Sequence, residues 1–228
     1  MTLIICALKL EAKPYLDALE NKRVEIINAG KVYHGDIEGN SVIVAKCGVG
    51  VLKAAKTAKT LIAKHSISRV IMSGTAGGID SKLEIGDTVI SEEVLFHDDA
   101  GSILESAGLT TRNSVYNADS TLLEKAKKVM TDDPPAHPVY FGRISTGRKF
   151  VAQKDFDTIA EKFHPLCADM ESAAVAHVSG MNDIPFISVR SISDNGDKSG
   201  IASFLQYASQ ASLNSFIVVS RIIKARQM

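Results

Sequence analysis

The stretch PFISVRSISDNGD, residues 185–197, runs as an almost wholly apolar segment and then breaks into Ser193, Asp194, Asn195 and Gly196. Strands buried on both faces of an α/β sheet read as such continuous runs, and ligands collect beyond their carboxyl ends. The segment therefore predicts a buried strand that delivers a carboxylate, Asp194, to a polar turn. Just upstream, ADMESAAVAHV, residues 168–178, places Asp169 and Glu171 at the mouth of an alanine-rich helix pattern. Two acidic positions thus bracket one short helix-and-strand unit.

Outward from that unit, short β-branched or apolar runs predict strands at Leu3 to Ala7, Val24 to Ile27, Val32 to Ile37, Val42 to Ala45, Val70 to Met72, Thr88 to Leu95, Pro138 to Ile144 and Ile184 to Ile192. Helical spacing appears in Val51 to His65, where Leu52, Ala55, Ala58, Leu61 and Ile62 recur on one face. Similar patterns occupy Leu122 to Met130, Phe156 to Phe163, Ser172 to Met181 and Ile201 to Ala225. Strands clustered early, followed by alternation of strand and helix, predict an α/β fold: three layers, α/β/α, around a central mixed β-sheet, with residues 1–228 as a single domain. Two irregular stretches interrupt the order, His97 to Asp119 and Thr131 to His137. The first is long for a connection inside one domain and is a candidate binding or lid loop.

Bulk numbers narrow the partner. The 228 residues are 45% hydrophobic, enough for a sizeable core, and 26 Lys plus Arg balance 26 Asp plus Glu. Such a balance lacks the electrostatic footprint of a nucleic-acid or anionic-membrane binder, so the expected partner is a small molecule or a second copy of the chain. Cys6, Cys47 and Cys167 are scattered and odd in number, which argues for reduced, buried thiols over a zinc site or redox pair. The amino-terminal MTLIICALKLEAKPYL lacks a basic leader and meets Lys9 and Glu11 early, so it reads as a first strand and not as a secretory segment. No run approaches the length of a membrane span, and a soluble, cytoplasmic protein is expected.

Several groups could carry chemistry, each with a plainer alternative. MSGTAGGID, residues 72–80, follows a strand, and Gly74, Gly77 and Gly78 let backbone approach a ligand; taken alone, this turn and KCGVGVLKA (residues 46–54) are ordinary punctuation. Neither carries the lysine of a phosphate loop or the glycine spacing of a dinucleotide fingerprint. Glu11, at the carboxyl end of the first strand, sits where ligands gather. Glu171 could instead stabilise the start of its helix, and Asp194 could cap its own turn. His97, Asp98 and Asp99 invite a metal reading, but adjacent aspartates point apart, and His34, His65, His137, His164 and His177 are dispersed, so no metal is expected. No G-x-S-x-G elbow supports a serine nucleophile.

Taken together, ALKLEA, SGTAGGI, STGRKFV (residues 145–151), ADMESAAVAHV and VRSISDNGD resemble, in order and over nearly the whole chain, the nucleoside phosphorylase superfamily and within it the methylthioadenosine/S-adenosylhomocysteine nucleosidases. The resemblance implies a cofactor-free hydrolase of 5'-substituted adenosines, serving methionine salvage. In it Asp194 would protonate N7 of adenine, and Glu11 would activate water beside Arg190 and Thr75. Glu171 would hold ribose hydroxyls over Met170, Phe150 would stack on the base, and the Val151 backbone would read its edge. Ala76, Gly77, Ser193 and Phe204 complete the implied binding set, and a homodimer would complete the 5' pocket.

Phosphorylases of the superfamily carry an arginine shortly before the glycine turn and another in the first loop. Here Met72 and the Leu8 to Glu11 segment stand at those places, which favours water over phosphate as nucleophile. Phosphorolysis, or cleavage of 5'-deoxyadenosine or 6-amino-6-deoxyfutalosine, remains the alternative, as does a binding module that has lost catalysis. Two departures from the family pattern stand out: Arg148, where an acidic residue is usual, and the 97–116 loop, which leaves Phe204, Ile103, Leu104 and Leu109 as candidates for the 5' pocket.

Overall fold

β10 (Phe186–Asp194) lies at the centre of the architecture, paired in parallel with β5 (Arg69–Gly78) on one side and antiparallel with β6 (Thr88–Phe96) on the other. The computed structural model describes residues 1–27, 30–109, 115–151, 153–195 and 200–225. Gly196 and Asp197 of the turn after Asn195, and residues 110–114 of the predicted loop, lie outside the described residues.

From β5 the sheet continues in parallel through β1 (Thr2–Cys6) and β4 (Asn40–Lys46), and then antiparallel through β3 (Gly30–Ile37) to β2 (Glu20–Ile27) at the edge. On the other side β6 pairs with β8 (Val139–Thr146), β8 with β9 (Cys167–Asp169), and β9 with β5. The strands β5, β10, β6, β8 and β9 therefore close a ring. The short β7 (Val115–Asn117) hangs off β6. The predicted mixed sheet is present, and its closure into a ring is what the strand list did not show.

Helices cover both faces and divide the core in two. One face carries α2 (Val51–Lys64), α3 (Ala100–Ser106) and α6 (Ser172–Gly180) against Leu3, Ile5, Ile43, Val70 and Met72. The other carries α1 (Lys9–Ala18), α4 (Ser120–Asp132) and α7 (Gly200–Lys224) against Ile4, Cys6, Val44, Ile71 and Ile187. Alternation along β1 sends successive side chains to opposite cores, as a strand covered on both faces requires. The remaining helix among the described residues is α5 (Gln153–Phe163).

Local readings needed correction in four places. The glycine segment 74–78, read as a turn following a strand, lies inside β5. In α2 the buried stripe is Val51, Ala54, Ala55, Ala58 and Leu61, while Leu52 is exposed. The stretch read as irregular contains α3 and β7. The segment read as one first strand turns at Ala7 and becomes α1, which has no polar N-cap and contains Pro14. Packing holds this helix where local signals are weak: Tyr15 is fully buried, its hydroxyl lies 2.6 Å from Ser73 Oγ, and its ring meets Phe216 edge-on at 5.1 Å. Among the described residues, no helix is long and apolar enough to cross a membrane. All three cysteines are free, and burial pushes their thiols up, away from the reactive thiolate.

Candidate active site

The carboxyl ends of β1, β5, β9 and β10 meet around one cavity of about 270 Å³. Every predicted site residue except Arg190 lines it: Glu11, Thr75, Ala76, Gly77, Phe150, Val151, Met170, Glu171, Ser193, Asp194 and Phe204. The sheet edge collects these residues because the parallel strands end together, as open α/β sheets do at their ligand sites.

Glu11 stands in the first turn of α1, one turn beyond the strand end the sequence pointed to. The residue is 2% exposed. Oε2 accepts the amides of Ala7 at 2.9 Å and Leu8 at 2.8 Å, and Oε1 accepts the Thr75 amide at 2.9 Å and the Thr75 hydroxyl at 2.8 Å. Four donors replace the water that burial strips from the group. Of the four, only the Thr75 hydroxyl can rotate away. A glycine inside β5 makes this approach possible, for a Cβ on Gly74 would stand 2.5 Å from Glu11 Oε1 and 2.8 Å from Arg190 Nη1.

Asp194 owes its aim to a β-bulge. Ile192 pairs with Ala76 and Asp194 with Gly77, so Ser193 is an extra residue on β10. Without it, Asp194 would share a face with Ile192, which is in the core; with it, both Ser193 and Asp194 face the cavity. The Ser193 hydroxyl donates to Asp194 Oδ2 at 3.0 Å, and a Cβ on Gly77 would lie 3.0 Å from Asp194 Oδ1.

The start of α6 assigns its two acidic residues different tasks. Asp169 accepts the amides of Glu171 and Ser172 at 3.1 Å each and the Thr146 hydroxyl at 2.6 Å, so Asp169, and not Glu171, satisfies the helix start. Glu171 makes no capping bond. Its Oε1 accepts the Gly50 amide at 2.8 Å, and its Oε2 lies 3.2 Å from Arg190 Nη2. Burial pushes the Glu171 carboxyl up to about 7, with Asp169 and Glu11 acting the same way, while Arg190 and the Gly50 amide oppose. Arg190 opposes only in part because it also pairs with Asp169 at 2.8 Å.

Arg190 is fully buried behind the cavity wall, held by Asp169, Glu171, the Ser172 hydroxyl and the Thr75 carbonyl. Burial alone would lower its guanidinium; the carboxylates of Asp169, Glu171 and Glu11 outweigh burial and push it up. Arg190, expected as a neighbour of the water, does not line the cavity, although a Cβ on Gly74 would meet both its Nη1, at 2.8 Å, and Glu11 Oε1, at 2.5 Å. Asp169 is a further carboxylate lining the cavity, and an Asp just before an apolar helical run is the sequence signal for it.

The 97–99 segment has a structural task as well. Asp98 accepts the Arg148 amide at 2.8 Å, and Asp99 Oδ1 lies 2.7 Å from Arg148 Nη2, so the unusual arginine ties this turn to the Phe150 segment. His97 Nδ1 lies 3.1 Å from Ser145 Oγ, and burial lowers its pKa. Leu104 and Leu109 are buried in the core, and neither they nor Ile103 line this cavity; Phe204 does.

The family model of the phosphorylase superfamily matches residues 2–224. A 5'-methylthioadenosine/S-adenosylhomocysteine nucleosidase from Psychromonas ingrahamii is 34% identical over 224 residues, 96% of each chain. Among solved structures, the corresponding nucleosidase from Neisseria meningitidis, in complex with methylthio-immucillin-A, superposes with a TM-score of 0.89 at 27% identity and covers 98% of both chains. That from Colwellia psychrerythraea, in complex with adenine, gives 0.89 at 26% identity, covering 97% of this chain and 93% of its own. A family match from one end of the sheet to the other, with relatives above 30% identity along nearly their full length, shows that this chain belongs to the phosphorylase superfamily and, within it, to the 5'-methylthioadenosine/S-adenosylhomocysteine nucleosidases.

Proposed function

We propose that the chain hydrolyses the N-glycosidic bond of 5'-substituted adenosines, 5'-methylthioadenosine and S-adenosylhomocysteine, to adenine and a 5-substituted ribose. The observation that carries this reading is the convergence of Glu11, Glu171 and Asp194 on one cavity. Asp194 delivers a proton to N7, so the base leaves neutral as the bond between C1' and N9 breaks. Water adds to the resulting ribosyl cation from the opposite face and gives its proton to Glu11, the two-carboxylate logic of inversion at a sugar carbon. The water takes the position that the Thr75 hydroxyl vacates at Glu11 Oε1. Glu171 accepts the ribose hydroxyls above Met170, and Phe150 and the Val151 backbone hold the base; Ala76, Gly77 and Ser193 shape the wall and Phe204 borders the 5' end. Arg190 acts from behind, fixing Glu171 and the Thr75 carbonyl.

Water is favoured over phosphate because carboxyl groups outnumber cations along the pocket. Glu11, Asp169, Glu171 and the proton donor Asp194 line it against Lys149 among the described residues, the nearby Arg190 is already bound to two of them, and Met72 is fully buried in the core. A dianion entering beside Glu11 meets repulsion. A homodimer in the cytoplasm is part of the same reading, with residues 1–228 as one domain that serves methionine salvage. Exposed Val49 and Leu52 near the start of α2, and Ile201 and Leu205 near the start of α7, support it as apolar surface, Val49 and the adjacent Phe204 lining the cavity itself.

The test is adenine release from methylthioadenosine in phosphate-free buffer. Full turnover is expected, and turnover that appears only when phosphate is added replaces hydrolysis with phosphorolysis. Asp194→Asn is expected to lower kcat by roughly 10²–10⁴ with the fold intact; a near-normal rate removes Asp194 from the role of acid.

A further inference from the structure

Far from the cavity, three side chains that the sequence leaves dispersed come together. Glu25 on β2 and His34 on β3 point to the same face of the edge hairpin, since Arg23 pairs with His34 and Glu25 with Val32. His65 closes the carboxyl end of α2 over that face. Both imidazoles converge on one carboxylate oxygen: Glu25 Oε2 lies 2.7 Å from His34 Nε2 and 3.3 Å from His65 Nε2, and the two rings meet edge-on at 5.2 Å.

Two features point beyond an ion-pair cluster. The His65 Nε2 atom is sealed from solvent and makes no hydrogen bond of acceptable geometry, although it faces Glu25. A buried ring nitrogen without a hydrogen-bond partner is costly unless something binds it. Moreover, one donor atom from each residue lies within 4.8 Å of the others. Tetrahedral zinc with bonds of about 2.0–2.1 Å holds its ligand atoms about 3.4 Å apart, so small side-chain rotations suffice to admit the ion. Two imidazoles and one carboxylate select zinc-class transition metals over magnesium or calcium, which prefer all-oxygen shells.

We propose that Glu25, His34 and His65 form a binding site for a zinc-class divalent ion, with water as the fourth ligand. Its ligands come from β2, β3 and α2, so the ion clamps the edge hairpin to the helix. An edge strand is the least supported part of a sheet, and Val24 and Ile26 on the opposite side of β2 are exposed. The other end of α2 begins next to Gly50, whose amide holds Glu171, so the helix spans about 21 Å between the metal site and the cavity. The role assigned to the ion is structural.

The test uses the whole chain, stripped of metal by chelation and then titrated with zinc. Calorimetry is expected to show one equivalent bound, and cobalt in its place is expected to give the visible absorption of a tetrahedral site. Zinc at a hundredfold excess over its Kd raises the thermal midpoint by about 5 °C or more, whereas magnesium and calcium leave it unchanged. His34→Gln and His65→Gln each weaken binding by at least the roughly 10–100-fold that loss of a mere outer-shell partner costs. Circular dichroism checks that both variants fold, and the wild-type titration stands without them. Failure to bind a stoichiometric ion overturns the proposal, and so does equal binding by both variants, which puts the metal elsewhere.

Discussion

Replacing Asp169 by Asn removes one charge from the wall behind the cavity while keeping the shape of the side chain. The Oδ1 contacts to the Glu171 and Ser172 amides and to Thr146 survive as contacts to an amide oxygen. The Oδ2 contact does not, because an amide NH₂ then faces the Arg190 Nε donor across 2.8 Å. Breaking a fully buried ion pair from one side costs about 3–5 kcal/mol, since the remaining charge stays desolvated. Glu171, 3.2 Å from the same guanidinium, still compensates in part, which puts the expected loss near the low end, about 3 kcal/mol. Most folded proteins survive such a loss. Asp169 is one of the groups that raise the Glu171 carboxyl, so the variant also lowers the pKa of Glu171 and draws its carboxylate toward Arg190. KM for methylthioadenosine is therefore expected to rise more than kcat falls. Urea unfolding measures the first effect and steady-state kinetics the second. A loss of stability below about 1 kcal/mol, with KM unchanged, refutes the account of Arg190 as a cation shared between two carboxylates.

Glu171 gives a pH prediction with a definite sign. Its carboxyl is raised in the folded state to about 7 from an ordinary value near 4.5, so the folded chain holds more protons than the unfolded one between those limits. Its contribution to stability is complete below the lower limit and declines as pH rises through about 7. Wild type is thus expected to gain stability relative to Glu171→Gln at pH 5 compared with pH 7.5, and urea midpoints that move the opposite way contradict the assigned direction. Gly74→Ala should abolish turnover by driving a methyl into Glu11 and Arg190, and measurable kcat in a folded variant would show that the carboxylate has another place to go. Arg148→Ala, at a side chain 41% exposed, is expected to change stability by less than about 1 kcal/mol yet raise KM by releasing the Phe150 segment from Asp99, the bond from the residue 148 amide to Asp98 being kept. An unchanged KM would leave Arg148 as surface decoration only.

The parts of the site legible in the sequence are those where one short segment determines the environment. The run ending at Asp194 is apolar on both faces, so it had to be a buried strand, and its break had to fall at the sheet's ligand-bearing edge. The glycines of β5 were legible as close backbone approach, though they were read as a turn and what they approach was not visible: Glu11 and Arg190 at Gly74, Asp194 at Gly77. Helix α1 was missed because Leu8 offers no capping oxygen and Pro14 interrupts the pattern, leaving Tyr15 and Ser73, 58 positions apart, to hold it. Strand β9 was too short, at three residues, to announce itself, yet it sets Asp169 in place.

By itself the sequence determined the alternation of buried strands and amphipathic helices, the order of the motifs and the absence of an arginine at Met72, since all of these follow from local composition and spacing. Only the tertiary structure decided how the acidic residues are employed. Capping and charge pairing depend on distances across the fold, and so Asp169 took the helix start, Glu171 faced the cavity, Arg190 withdrew behind them, and His34 and His65, 31 positions apart, met at Glu25. The bulge at Ser193 belongs to the same class, because a one-residue slip in register is set by the partner strand and not by the residues that slip.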